Sequence, residues 1–349
     1  MKAEEFVTFP SIEQFRNVVR EVKHKATYVG QDENDQPIYN PSAVLPTLSF
    51  LGSVKLHGTN AGIVYNWDEL AFEYVPHVQS KNQIITPIKD NAGFATFVHG
   101  IDTDRILTQI MRSHPMDYTP QKIAVFGEWC GGNIQSTVAL NGLEKMFVII
   151  AIKIDNEWLD YDALRTIKNP NEKIYNIFDY PTYEVQIDFN NSESSVNNIV
   201  KLTLAVEAEC PVAKEFGNIG IGEGLVFRCI DEGYSSSRFW FKSKGTLHSN
   251  SKVKTIKPVD DEKIQKKIDI SQLVTPSWRL QQGLTEVFDL LNDGELDRNR
   301  IGEYIKWVMS DIVKEELDTI VDAKLEIKDI SKYVSLIAKD FFFSKENLD

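Results

Sequence analysis

Short apolar, β-branched runs bounded by turn residues occur only before about residue 258 of this 349-residue chain; beyond that point the apolar residues follow helical spacing. That switch divides the fold into a mixed α+β part with antiparallel sheets flanked by helices, followed by a small all-α part. The expected domains are residues 1–259 and 260–349. Residues 48–55, 62–67, 122–130 and 146–154 predict strands, and a turn at Asp68-Glu69 leads to a further strand over 70–75. Residues 225–230 and 238–244 predict a hairpin around Asp231-Glu232-Gly233. Ser11-Ile12-Glu13-Gln14 has the spacing of a capping box ahead of Phe15, Val18, Val19 and Val22. Residues 92–111 predict one helix, and the polar, Pro-containing stretch 30–46 predicts a long surface loop. In the second part Leu284, Val287, Phe288 and Leu291 have helical spacing, as do Ile301, Tyr304, Ile305 and Val308, and then Val334, Ile337 and Phe341.

Charge narrows the function. With 38 Lys+Arg against 51 Asp+Glu the net charge is −13, so the molecule as a whole is no general polyanion binder and nucleic acid must be met by a local basic patch. Residues 233–259 contain no Asp or Glu but carry Arg238, Lys242, Lys244, Lys252, Lys254 and Lys257. Positive charge concentrated in an acidic chain suits phosphates, although a solvated basic face has the same composition. The longest apolar run, residues 146–152, is far short of the ~20 residues of a membrane helix. Three cysteines with no C-x-x-C pair, and no apolar stretch near Met1, predict a reduced, cytoplasmic protein with no membrane partner.

Four short elements carry chemistry. Lys55-Leu56-His57-Gly58-Thr59-Asn60 places a lysine where a strand ends in a turn, and a deprotonated lysine is a nucleophile. Alone this is also the pattern of an ordinary surface lysine. Phe126-Gly127-Glu128 ends a second strand with a carboxylate. Glu223-Gly224-Leu225-Val226 begins a third with one. Lys242-Ser243-Lys244 puts two lysines at i and i+2 on a fourth strand, hence on one face. Two adjacent ammonium groups repel unless an anion lies between them, which points to phosphate. A free lysine, with pKa ~10.4, must lose its proton to attack near neutrality, and neighbouring cations favour the neutral amine.

In this order and spacing, over roughly residues 48–258, the four elements resemble those of covalent nucleotidyltransferases, the superfamily of ATP-dependent ligases and capping enzymes. They are most similar to the bacteriophage RNA ligase 2 family, whose first motif reads K-x-H-G-T-N. The resemblance implies a nucleotidyltransferase (ATP-grasp-like ligase) domain and a helical C-terminal domain. It implies that Lys55 attacks the α-phosphate of ATP, forming lysyl-AMP, that Glu128 holds the ribose and that Glu223 holds Mg2+ or Mn2+. Lys242 and Lys244 would contact the α-phosphate. The AMP would pass to an RNA 5′-phosphate and a 3′-hydroxyl would displace it, at nicks in duplex RNA or RNA–DNA hybrids. This is RNA repair, in a host cytoplasm if the source is viral, with no obligatory protein partner.

Gly58 would shape the nucleotide turn. His57, Asn60, Arg228, Arg238, Lys252 and Lys254 are expected to touch substrate. Ser80-Lys81-Asn82 stands where the family presents S-R-x, so Lys81 keeps the charge without the bidentate fork. Val54 replaces a common Glu before the nucleophile. Ile150, with Phe147 nearby, stands where the family stacks an aromatic ring on adenine, and Arg228 stands where relatives often have lysine. His248 and Ser249 follow the basic strand and would line the RNA path. Cys130 and Cys229 are expected to serve packing alone. Two alternatives remain at this point. One is a DNA ligase or capping enzyme, which usually carries an OB-fold after the last motif. The other is a non-catalytic nucleic-acid-binding relative, which would have no use for an uncharged lysine.

Overall fold

A computed structural model describes residues 5–40, 42–248, 261–288 and 295–346. Backbone contacts divide the chain into two compact units, Met1–Pro258 and Val259–Asp349. In chain order the strands are β1 (Glu13–Gln14), β2 (Tyr28–Gln31), β3 (Pro37–Tyr39), β4 (Thr47–Lys55), β5 (Thr59–Asp68), β6 (Glu73–Ser80) and β7 (Ile84–Ile85). They continue with β8 (Lys122–Cys130), β9 (Met146–Ile154), β10 (Glu157–Trp158), β11 (Ile174–Asn176), β12 (Tyr183–Asp188), β13 (Gly224–Cys229) and β14 (Trp240–Lys244).

The larger sheet has the order β10-β9-β8-β5-β6-β7, with β11 also on β9; the smaller has the order β1-β14-β13-β4-β12. All neighbours are antiparallel except β1/β14 and β11/β9. Alternation along β8 shows how the layers stack. Ile123 and Val125 enter a core with Phe94, Val98, Ile106 and Ile110, from the helices Phe94–His99 and Asp104–Ser113. Ala124 and Phe126, with Val64 and Ala151 of the neighbouring strands, enter a second core against Trp240 of the smaller sheet. The larger sheet thus lies between helices and the smaller sheet. The far face of the smaller sheet packs Phe241 on Phe15 of the helix Phe15–Thr27, centroids 5.0 Å apart.

One irregularity shapes the site. Phe126 pairs with Ala151, but Gly127 pairs with Ile149, so Ile150 is an extra residue in β9. The bulge reverses the parity of the strand. Phe147 and Ile149 face the helix side before it, and Ile152 and Ile154 do so after it. A bulge re-aims a side chain, and here it turns Ile150 toward the cavity between the sheets.

Several expected elements differ. No side chain caps the helix at Phe15; Glu13 and Gln14 instead pair with Phe241 and Lys242, so the expected capping box is a strand. The stretch expected as a loop contains the hairpin β2–β3. The expected strand 70–75 is displaced: Leu70 and Phe72 sit exposed at a hairpin tip and the strand starts at Glu73. The single helix expected over 92–111 is two, broken between His99 and Asp104, where the N–H of Gly100 caps the first and Thr103 precedes the second.

The second unit is helical in its described residues: Asp261–Val274, Ser277–Phe288, Ile301–Glu315, Leu317–Asp322 and Ile327–Glu346. Leu284, Tyr304, Val308, Ile330, Val334 and Phe342 form its core. The buried Arg279 guanidinium is matched by Asp311 at 2.8 Å and Glu316 at 3.1 Å. Among the described residues no helix is long and apolar enough to cross a membrane.

A Cβ on Gly127 would lie 2.4 Å from the Phe147 ring and 2.6 Å from the Val148 carbonyl oxygen. Both are held by the sheet, so Gly127→Ala is expected to cost about 1–3 kcal/mol, the usual range for overpacking. Urea denaturation measures this, and an unchanged midpoint would contradict the packing described.

Candidate active site

β4, β13 and β14 lie side by side, and their register sets three positions abreast: Lys55 opposite Gly224, and Gly224 opposite Lys244. Two residues back, Ser53, Val226 and Lys242 repeat the row on the same face. Glycine is required at the centre: Gly224 has φ +144°, and a Cβ there would lie 2.2 Å from the Ser243 carbonyl oxygen. The residue before it, Glu223, is 1% exposed and sits between the two lysines. Its Oε2 receives Lys55 Nζ at 2.7 Å and His57 Nδ1 at 3.0 Å, and its Oε1 receives Lys244 Nζ at 2.6 Å. Burial pushes this carboxyl up, but Lys55 and Lys244 overcome burial and bring it down to about 2.

Glu128 enters from the larger sheet. It stands opposite Asn60 in the β5/β8 register, and its Oε1 accepts the Gly58 N–H at 2.9 Å. A Cβ at Gly58 would lie 2.3 Å from the Trp129 carbonyl oxygen, so this turn admits only glycine. Asn60 Nδ2 donates weakly to the Gly127 carbonyl at 3.4 Å, which ties the turn to β8. Burial holds Glu128 up at about 7, against the pull of Lys55 and the Gly58 N–H. Burial, then the ammonium groups of Lys55 and Lys244, lower the pKa of Lys242.

Between the sheets lies a cavity of about 350 Å³, in the range of small-molecule sites. Phe9, Ile12, Val54, Ile150 and Val226 line it with apolar surface; Lys55, Lys81, Lys242 and Glu128 line it with charge. Phe9 packs on Phe126 at 5.1 Å between centroids. Its segment is held by Gln79, whose amide oxygen accepts the Val7 N–H at 3.0 Å and whose Nε2 donates to the Val7 carbonyl at 2.6 Å. Arg228 closes the floor. It donates to the carbonyl of the bulged Ile150 and lies 4.3 Å over the Trp240 ring, with its buried Nε left without a protein partner. Burial lowers Arg228 to about 10, so it stays charged at neutral pH.

Of the residues singled out from sequence, Lys55, Gly58, Asn60, Lys81, Glu128, Ile150, Arg228 and Lys242 line this cavity, and Glu223, Lys244 and His57 meet at its edge. Phe147 does not reach it: the ring is fully buried on the opposite face of β9, 4.9 Å from Phe94. Arg238 is exposed and lines a separate groove with Arg20, Pro10 and Ser11. Lys252, Lys254, Lys257 and Ser249 lie outside the described residues. Cys130, Cys210 and Cys229 are free and buried. Sequence reasoning missed the wall formed by Phe9 and Ile12, since an aromatic residue ahead of the first helix carries no pattern of its own.

The cavity thus combines apolar surface with lysines and a carboxylate, and one of those lysines is held by a buried carboxylate. No group of three or more His, Cys, Asp or Glu converges as a metal centre among the described residues.

The model of the RNA ligase family matches residues 49–244, more than half of the chain. The chain belongs to that family. Solved structures of an RNA ligase from Naegleria gruberi are similar. The ligase with PPi aligns with TM-score 0.42 and 16% identity, covering 70% of this chain and 58% of that one. A mutant of it with ATP and Mn gives 0.43 and 15%, and another with AMP and Mn gives 0.42 and 15%, over the same shares of each chain. The present chain thus spans less than two thirds of that ligase. No curated protein matches the sequence.

The Glu128 carboxyl sets a pH dependence. It takes its proton near 7 when folded and near 4.5 as an ordinary glutamate. Between those values the folded state holds a proton that the unfolded state has released, so stability falls as pH rises. From about pH 5 to pH 8 the unfolding free energy of the parent protein is expected to drop relative to Glu128→Gln, which has no such proton to lose. Parallel profiles in chemical denaturation would contradict this.

Proposed function

We propose that this chain is an ATP-dependent RNA ligase of the bacteriophage RNA ligase 2 type, sealing nicks in duplex RNA or RNA–DNA hybrids in RNA repair. The observation that carries the reading is the buried Glu223 carboxylate holding Lys55 and Lys244 from two different strands, with Lys55 and Glu128 both lining the cavity. A binding module has no need to bury a carboxylate beside a lysine that opens onto a cavity. The lining supports the reading by its chemistry: Phe9, Ile12, Val54, Ile150 and Val226 offer apolar surface for adenine, and Lys55, Lys242 and Lys81 offer positive charge for the phosphates.

In this reading Lys55 loses its proton and attacks the α-phosphorus of ATP. A P–N bond forms and the bond to pyrophosphate breaks. Lys242 and Lys244 offset the charge that builds on the phosphoryl oxygens, and Glu128 accepts from the ribose hydroxyls. An oxygen of the RNA 5′-phosphate then displaces Lys55 from phosphorus. Finally the 3′-hydroxyl attacks the activated 5′-phosphate, sealing the strand and releasing AMP. Magnesium or manganese held at Glu223 would supply electrostatic stabilisation of the phosphates. Resting Lys55 is an ammonium paired with Glu223, so nucleotide entry must loosen that pair before attack. A cytoplasmic setting, the host cytoplasm if the source is viral, is supported by the three free cysteines.

Incubation with α-labelled ATP and Mg2+ or Mn2+ is expected to label the protein through an acid-labile bond. Glu223→Ala and Lys244→Ala should each lower the labelling rate by about 10²-fold or more, the scale for loss of one transition-state contact. Sealing should be faster on a nicked duplex than on single-stranded ends. Unlabelled protein, or variants that label like the parent, would overturn the proposal.

A further inference from the structure

The helix Val196–Ala208 runs beneath β13 and β14 and touches the site from behind. Its Thr203 hydroxyl donates to the Ile199 carbonyl and shares a second hydrogen bond with Ser243 Oγ at 2.7 Å, between the two lysines of β14. One turn further on, Glu207 is 5% exposed. Its Oε2 accepts the Thr246 N–H at 3.0 Å and the Thr246 hydroxyl at 3.1 Å; its Oε1 accepts the Leu247 N–H at 2.8 Å. Its backbone carbonyl accepts the Gly222 N–H at 3.1 Å, next to Glu223. A Cβ on Gly245 would lie 2.0 Å from the Glu207 carboxyl carbon, so the turn passes over this side chain at a distance only glycine allows.

That turn joins two parts of the site. At its start stands Lys244, bound to Glu223. At its end stands His248, whose side chain is 7% exposed; its Nδ1 lies 3.7 Å from Glu207 Oε1 and has no hydrogen-bond partner. The His248 ring packs on His57 at 5.6 Å between centroids, and His57 Nδ1 lies 3.0 Å from Glu223 Oε2. Glu207, His248, His57 and Glu223 therefore form a continuous line, and Glu207 is the anchor that no reacting group touches.

We propose that Glu207 is a positioning residue for nucleotidyl transfer: by fixing the 245–248 turn it sets Lys244 and the His248–His57 pair around Glu223. The inference rests on the ligase reading above. Lys244 acts on charge that builds on the phosphoryl oxygens, and the apolar walls of the cavity are not part of this turn, so the effect falls mainly on the chemical step. In Glu207→Gln one acceptor becomes an NH2 group facing backbone N–H donors. Displacements of about 1 Å at a reacting centre cost up to about 10²-fold.

Single-turnover labelling with α-labelled ATP across ATP concentrations, with rates taken per folded protein, tests this. Glu207→Gln is expected to lower the rate at saturating ATP about 10–100-fold, with half-saturation within about threefold of the parent. Glu207→Asp, which keeps both acceptors, should recover part of the loss. His248→Ala, which leaves the Glu207 cap intact, should lower the same rate about fivefold or more and keeps the test open if Glu207→Gln does not fold. A labelling parent with either variant at the parental rate would overturn this inference and leave the ligase reading standing. A loss confined to half-saturation would do the same. Failure of the parent to label would remove the ligase reading itself and this inference with it.

Discussion

Everything at the candidate site hangs on one buried carboxylate. A charge taken out of water is costly unless opposite charges and hydrogen bonds meet it, and Glu223 is met on both oxygens by Lys55, Lys244 and His57. Each partner comes from a different segment: the end of β4, the end of β14 and the turn after β4. The pairing therefore pins three pieces of backbone at the open end of the smaller sheet. Removing one partner would leave the others with unbalanced charge, so the cluster is a unit whose members cannot be varied singly without loss.

The same cluster defines a resting state. An ammonium held at 2.7 Å from a carboxylate is not a nucleophile. On the proposed ligase reading, the Lys55 proton would have to leave and Glu223 to find other cations before a phosphorus is attacked. Lys242 stands ready nearby with its charge already disfavoured by burial and by its neighbours. The opposite wall is built by a different device. The bulge at Ile150 turns one apolar side chain into the cavity while its carbonyl is taken by Arg228. The apolar lining thus comes in part from an irregularity in β9 and from the Phe9 segment, not from an aromatic residue of that strand.

Legibility in the sequence followed the physics of each element. β8 and β9 were readable because strands buried on both faces are long apolar runs. The motif residues Lys55, Glu128, Glu223, Lys242 and Lys244 were readable through the order and spacing of their four elements, which resemble those of covalent nucleotidyltransferases; each alone also fits an ordinary charge at a strand end. The bulge was hidden: it appears only as a parity change between Phe147, Ile149 and Ile152, Ile154, which a continuous apolar run conceals. The hairpin β2–β3 was hidden by its exposure, since its side chains show no buried alternation. Leu70 and Phe72 misled because apolar residues at an exposed tip mimic a strand. Glu207 carried no signal, because its partners are two backbone N–H groups that any sequence would supply and one hydroxyl, that of Thr246, far from it along the chain.

The central claim is that the ε-amino group of Lys55 is the acceptor of the nucleotide. Peptide mapping by mass spectrometry, after the protein is treated with ATP and a divalent cation, tests it most directly. The account predicts a single AMP adduct on the peptide that contains Lys55. An adduct on Lys242, Lys244 or any other residue, with Lys55 unmodified, would contradict it.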